Sequence, residues 1–188
     1  MRFVLIVLDT NILIAALITQ GTPPDTLYRA WLRGKMEVVT SRSQISEIAA
    51  VLSRPRMLKY VQPDETSILL DNLDTRTIII NDHPSVNFSP DPADNKILAV
   101  AIAANADLIV SGDKKHMLCL ENVAGISIVS AREAVDRYNK FVCKKSVLSR
   151  EARDRGQITD EDDPGTQHHY VPGKQKMNHR PLCSYSGR

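Results

Sequence analysis

Apolar residues along this chain follow two rhythms. Short unbroken runs occur at FVLIVL (3–8), EVVTS (37–41), TRTIII (75–80), LIVSG (108–112) and GISIVS (125–130). Runs of this length, rich in Val and Ile, predict strands buried on both faces of a parallel sheet. Between them apolar positions recur every three or four residues, in ILIAALIT, in 24–31, in SQISEIAAVL, after Pro63 to about Leu73, and in REAVDRYNK. Strand and helix in alternation predict βαβ units and an α/β fold. Several boundaries carry their own signals. Thr10 or Asn11 can cap the first helix, Pro24 suits the first turn of the second, and Ser41 with Gln44 resembles a capping box. Ser130 with Glu133 repeats that box before the last helix. Residues 93–106 are apolar almost all round, which predicts a buried helix. The Pro- and Asp-rich stretch before it, 81–94, reads as a loop.

The pattern stops near Phe141. Residues 144–188 have few large apolar side chains and no period, so 141–188 reads as a disordered tail of unassigned role beyond a domain at 1–140. Of the chain's 24 Lys/Arg and 22 Asp/Glu, nine and six fall in 141–188. That leaves fifteen basic and sixteen acidic residues in 1–140, so the patterned region is not a broad basic surface for nucleic acid. No apolar run is long enough to span a bilayer, and the opening MRFVLIVLDTN reads as a strand rather than a signal peptide. Cys119, Cys143 and Cys183 show no CxxC spacing, which fits a reduced, cytoplasmic protein.

Candidate chemistry lies where apolar runs end on acids. FVLIVLD closes on Asp9 and LIVSGD on Asp113, at the carboxyl ends of predicted strands, where open α/β sheets bind ligands. Glu47 lies on the helix after the second strand, and Asp94 in the first turn of the buried helix. Helices that follow strands begin at that same edge, so all four acids can converge there. Like charges at short range repel, and a divalent cation held through oxygen would resolve the cost. Each acid has a structural alternative: a cap for Asp9 and Asp94, a solvated face for Glu47, a turn for Asp113.

LDTNILIAAL, SEIAAVLSRP, DPADNKILAVAIAANADLIVSGD and GISIVSAREAV together resemble the PIN-domain nucleases, and within them the VapC-like toxins of bacterial toxin–antitoxin systems. The resemblance covers about residues 3–138. It implies a three-layer α/β/α sandwich around a five-stranded parallel sheet of order 3-2-1-4-5. It also implies Mg²⁺- or Mn²⁺-dependent hydrolysis of RNA, often by a homodimer and often inhibited by an antitoxin. Carried over residue by residue, it makes Asp9, Glu47, Asp94 and Asp113 the catalytic and metal-binding acids, with Glu47 binding a second ion or orienting water. Asn11 and Ser111 would support them. The competing expectation is a PIN-like scaffold that binds RNA or protein without cleavage.

Around these acids, Arg54, Arg56 and Lys59, and Lys114 and Lys115 with His116, are candidate RNA contacts against a plainer reading as solvated surface. Asp91 before Pro92 reads as an N-cap. Tyr28 and Trp31 read as core or dimer contacts, not a base-stacking platform. His168, His169, His179 and Cys183 match no zinc-finger spacing. A phosphotransfer protein with a strand-ending aspartate is disfavoured, because Thr10 and Asn11 stand where such proteins carry a further acid.

Overall fold

Residues on the three central strands alternate between two separate apolar clusters. Ile6, Leu8, Val38, Leu108 and Val110 join one cluster, while Val7, Val39 and Ile109 join the other. That alternation is the period of a strand, and it explains the unbroken apolar runs: both faces are covered. The computed structural model describes residues 4–140. The chain divides into two units, Met1–Lys145 and Ser146–Arg188, and the described residues all belong to the first. The expected tail, with its His and Cys residues, lies outside them.

The elements run β1 (Leu5–Leu8), α1 (Thr10–Ile18), α2 (Pro23–Leu32), β2 (Glu37–Thr40), α3 (Arg42–Leu52), a 3₁₀ turn (Met57–Lys59), α4 (Pro63–Arg76), β3 (Ile78–Ile79), α5 (Pro92–Ala104), β4 (Leu108–Val110), a second 3₁₀ turn (Leu118–Leu120), β5 (Asn122–Val123) and β6 (Ile126–Val129). A last helix, α6, starts at 131 and is described to 140. Residues of α1, α2, α3, α4 and α6 fill the first cluster. The second is built on α5, with Ile97, Leu98, Val100 and Ala101 buried against the sheet. The result is a three-layer α/β/α sandwich. Each fully buried aliphatic side chain contributes about 1.5–3 kcal/mol, so the all-round apolar α5 is held by its burial. Tyr28 and Trp31 meet edge to face at 5.7 Å and are both buried, as core residues.

The sheet order is β3-β2-β1-β4-β6-β5. The expected 3-2-1-4 succession is present, but the sheet has six strands rather than five. β4 pairs with β6 in parallel, and β5 adds an antiparallel edge. Ala124 and Gly125, at φ 52° and 86°, form the two-residue link between β5 and β6, a conformation in which the tight hairpin turn needs positive φ twice. An alanine there carries no Asn-Gly signal, so the hairpin was invisible in the residue pattern. A left-handed non-glycine residue costs about 1–2 kcal/mol. Ala124→Gly should therefore stabilise the fold by about 0.5–1 kcal/mol after glycine's entropy cost, as measured by urea unfolding. Equal or lower stability would mean that this turn carries no strain.

Other boundaries shift for local reasons. β3 is only Ile78–Ile79, because α4 continues through Arg76 instead of stopping near Leu73. The first helix is capped by Asp9, not by Thr10 or Asn11: the Asp9 carboxylate accepts the Asn11 N–H. Ser41 caps α3 as expected, accepting the Gln44 N–H at 3.2 Å. The Gln44 side chain does not close a box, however. It donates to the Leu8 carbonyl at 2.7 Å and accepts from the Thr40 hydroxyl at 2.8 Å. This buried amide pins the start of α3 to the carboxyl end of β1, next to Asp9.

Candidate active site

Asp9 is placed by the sheet. Its N–H donates to the Val110 carbonyl at 2.9 Å, extending the β1–β4 ladder by one residue. The chain then turns into α1, and the carboxylate is left facing the carboxyl edge and only 4 % exposed. The Ser111 hydroxyl, fully buried after β4, donates to Asp9 Oδ2 at 2.6 Å. The same hydroxyl oxygen accepts the Asp113 N–H at 3.0 Å. One serine thus ties together the two acids that end the central strands.

Asp94 comes from the opposite layer. Asp91 accepts the Ala93 N–H and caps α5, with Pro92 in its first turn. Asn95 then folds the preceding loop back on the helix: its oxygen accepts the N–H groups of Phe88 and Ser89, and its amide donates to the Ser89 carbonyl. This brings the buried Ser89 hydroxyl to Asp94 Oδ2 at 2.8 Å. Asp94 is itself buried, at 7 % exposure.

Asp113 is held by a turn of its own. Oδ1 accepts the backbone N–H groups of Lys115 and His116 at 2.7 and 3.1 Å, and Oδ2 lies 2.9 Å from His116 Nδ1. Ligand atoms of Asp94, Asp113 and His116 all fall within 4.8 Å of one another. Asp9 is not part of that group and reaches it through Ser111.

The charges behave as a crowded set. Burial raises the Asp9 carboxyl above the ordinary 3.8; hydrogen bonds from Ser111 and Asn11 lower it, and the charges of Asp94 and Asp113 raise it. Burial also raises Asp94, against the Ser89 hydrogen bond, with Asp91 and Asp113 adding repulsion and His116 opposing it. Asp113 moves down instead, chiefly through its hydrogen bond with His116. No Lys or Arg pairs with Asp9, Asp94 or Asp113 among the described residues. Buried carboxylates with raised pKa values and no basic partner suit a divalent cation bound through oxygen.

Not every expected residue joins them. Glu47 is exposed on α3 and makes no hydrogen bond or ion pair among the described residues. It stands one turn beyond Gln44, on the same face of the helix. Asn11 contributes its backbone N–H, at 3.3 Å from Asp9 Oδ1, rather than its side chain. Arg54, Arg56 and Lys59 are exposed beyond the far end of α3, which lies about 12 Å of helix from Gln44. Lys114 and Lys115 are exposed beside Asp113. Asp107, the acid of the NAD segment, lies at the opposite edge and accepts the Leu5 N–H at 2.9 Å.

Ser89 and the bond between His116 and Asp113 were not foreseen. Ser89 sits in a polar loop with nothing to distinguish it until Asn95 folds that loop. His116 stands three residues after Asp113, and only the turn geometry pairs them. Ser111→Ala would remove both the donor to Asp9 and the acceptor for Asp113. Loss of such an orienting contact typically costs about 10–100-fold in metal affinity or activity. A divalent-ion titration of the variant that matched wild type would remove Ser111 from the site.

A family model described as "PIN domain" matches residues 5–115, more than half of the chain. An uncharacterized protein of Methanocaldococcus jannaschii is 27% identical over 145 residues, covering 73% of this chain and 93% of that protein. Among solved structures, the crystal structure of VapBC2 from Rickettsia felis bound to a DNA fragment from their promoter is similar, with a TM-score of 0.45 and 17% identity. That likeness covers 67% of this chain and 98% of the other.

Proposed function

The chain belongs to the PIN-domain family, and from that premise we propose that it is a divalent-metal-dependent endoribonuclease, the toxin of a type II toxin–antitoxin pair. The observation that carries this reading is the placement of Asp94 and Asp113 within ligand distance of each other, with Asp9 tied to Asp113 through Ser111 and feeling the charge of both. They come from three elements far apart in sequence, two of them are buried, and none has a Lys or Arg partner among the described residues. Their donors are carboxylate oxygens, which suit Mg²⁺ and Mn²⁺.

In this reading Asp9, Asp94 and Asp113 hold the cation. When bound, the ion polarises a phosphoryl oxygen and makes water a competent nucleophile near neutral pH. Ser111 keeps Asp9 and Asp113 in place through its two hydrogen bonds, and Ser89 does the same for Asp94. Glu47, exposed and without a hydrogen bond or ion pair among the described residues, binds a second ion or orients the attacking water. Lys114 and Lys115 contact phosphates of the RNA, and Arg54, Arg56 and Lys59 guide a more distant stretch of it. Cleavage in line leaves a 5′-phosphate and a 3′-hydroxyl. A homodimer and a cognate antitoxin complete the assembly, in the cytoplasm. Among the described residues no helix is long and apolar enough to cross a membrane.

The test is cleavage of single-stranded and hairpin RNA by purified protein with Mn²⁺ or Mg²⁺, and again with EDTA. Cutting that stops in EDTA is the expected result. RNA that is bound but stays intact with either ion would return the chain to the scaffold reading.

A further inference from the structure

Oxygen is not the only donor beside the acids. A ring nitrogen of His116 and a carboxylate oxygen from each of Asp94 and Asp113 lie within 4.8 Å of one another. Ligands about 2.1–2.3 Å from a common ion span nearly that distance. Two details of bonding show spare capacity in this group. Asp94 is 7 % exposed, and only one of its oxygens accepts a hydrogen bond among the described residues, from Ser89 at 2.8 Å. The other accepts none among the described residues and is not sealed from solvent, so it is open to a ligand. His116 gives Nδ1 to Asp113 Oδ2 at 2.9 Å, and its Nε2 has no partner among the described residues. The 2.9 Å between His116 Nδ1 and Asp113 Oδ2 is a spacing that two neighbouring ligands of one ion can share, and with the ring proton on the free Nε2 the Nδ1 lone pair is left for a cation.

We propose that His116 is a nitrogen ligand of the divalent cation, together with Asp94 and Asp113, and that this chain therefore takes Mn²⁺ in preference to Mg²⁺. The inference rests on the metal-dependent reading above. Mg²⁺ demands oxygen ligands in near-octahedral geometry and keeps several waters. Imidazole donors favour first-row transition ions, and affinities rise along that row from Mn²⁺. A site of carboxylates alone accepts Mg²⁺ and Mn²⁺ alike, so one nitrogen is enough to separate them.

The experiment is a titration of the full chain with Mn²⁺ alone, followed by electron paramagnetic resonance, with Mg²⁺ affinity obtained by competition. Pulsed spectra of the Mn²⁺ complex of wild type should contain the ¹⁴N coupling of a directly bound imidazole. His116→Ala should lose that coupling and about tenfold or more of its Mn²⁺ affinity, with the Mg²⁺ affinity changed less than about threefold. Mn²⁺ bound by wild type with no ¹⁴N coupling, or a coupling that survives in His116→Ala, overturns the histidine ligand and leaves the metal-dependent reading intact. No Mn²⁺ binding by wild type overturns both. The wild-type spectrum alone decides the ligand if the variant does not fold.

Discussion

Asp9→Asn will give a folded protein that no longer cuts RNA. The amide is nearly isosteric with the carboxylate: its one oxygen can still accept the Asn11 N–H that Oδ1 accepts now, while its NH2, in the place of Oδ2, must donate to the Ser111 hydroxyl instead of accepting from it. What it loses is the negative charge that the other two aspartates share. Removing one preorganised electrostatic contact from a transition state costs about 10²–10³-fold, and a site short of a ligand charge also binds its cation more weakly. Stability should move the other way. Burial and the charges of Asp94 and Asp113 make the ionised Asp9 costly, so without divalent ions the variant should melt at or above the wild-type temperature. Cleavage assays and thermal melts on the same preparations check both halves. A variant that cuts RNA at the wild-type rate would show that Asp9 is only the cap of α1.

Divalent ions should stabilise the wild type strongly, and most at higher pH. Asp9 and Asp94 both hold protons more tightly in the folded chain than in the unfolded one. Their contribution to stability therefore falls as pH rises from the ordinary 3.8 through their raised values. Above those values both are charged and the cost is full. Asp113 has the opposite sign: its lowered value favours the fold at neutral pH, and that contribution is lost only below 3.8. In cation-free buffer, melting temperature should thus decline on going from mildly acidic to neutral pH, and less so in the Asp9→Asn/Asp94→Asn double variant. A cation present at a hundred times its Kd adds about 2.7 kcal/mol, or roughly 5–10 °C for a chain of this size. The double variant should show little of that gain. An equal gain in both proteins would place the ion elsewhere.

Much of this arrangement was legible in the residues, for identifiable physical reasons. The central strands announced themselves because a strand covered on both faces needs apolar residues at every position. Asp9 and Asp113 stood out because acids interrupt those runs where the sheet ends. The chain was harder to read wherever a contact depends on folded loops. β5 went unseen because Ala124 adopts a conformation that its side chain disfavours. Gln44 looked like half of a capping box, yet its amide is spent on the Leu8 carbonyl, a partner 36 residues away. Ser89 gains meaning only when Asn95 folds its loop onto α5. The pairing of His116 with Asp113 is hidden in the sequence, where His116 is a candidate phosphate contact or plain solvated surface, because hydrogen bonding across a three-residue turn leaves no periodic trace. Glu47 is the reverse case: a residue expected in the cluster, which the fold leaves exposed on α3.

If the protein works as proposed, Asp9, Asp94 and Asp113 hold one divalent cation at the carboxyl edge of the sheet. Anomalous diffraction from crystals of the full chain grown with Mn²⁺ tests it most directly. A strong Mn²⁺ peak bounded by those three carboxylates is expected, and its loss in Asp9→Asn/Asp94→Asn crystals. Saturating Mn²⁺ with no peak there, or a peak bound only by other residues, would contradict it.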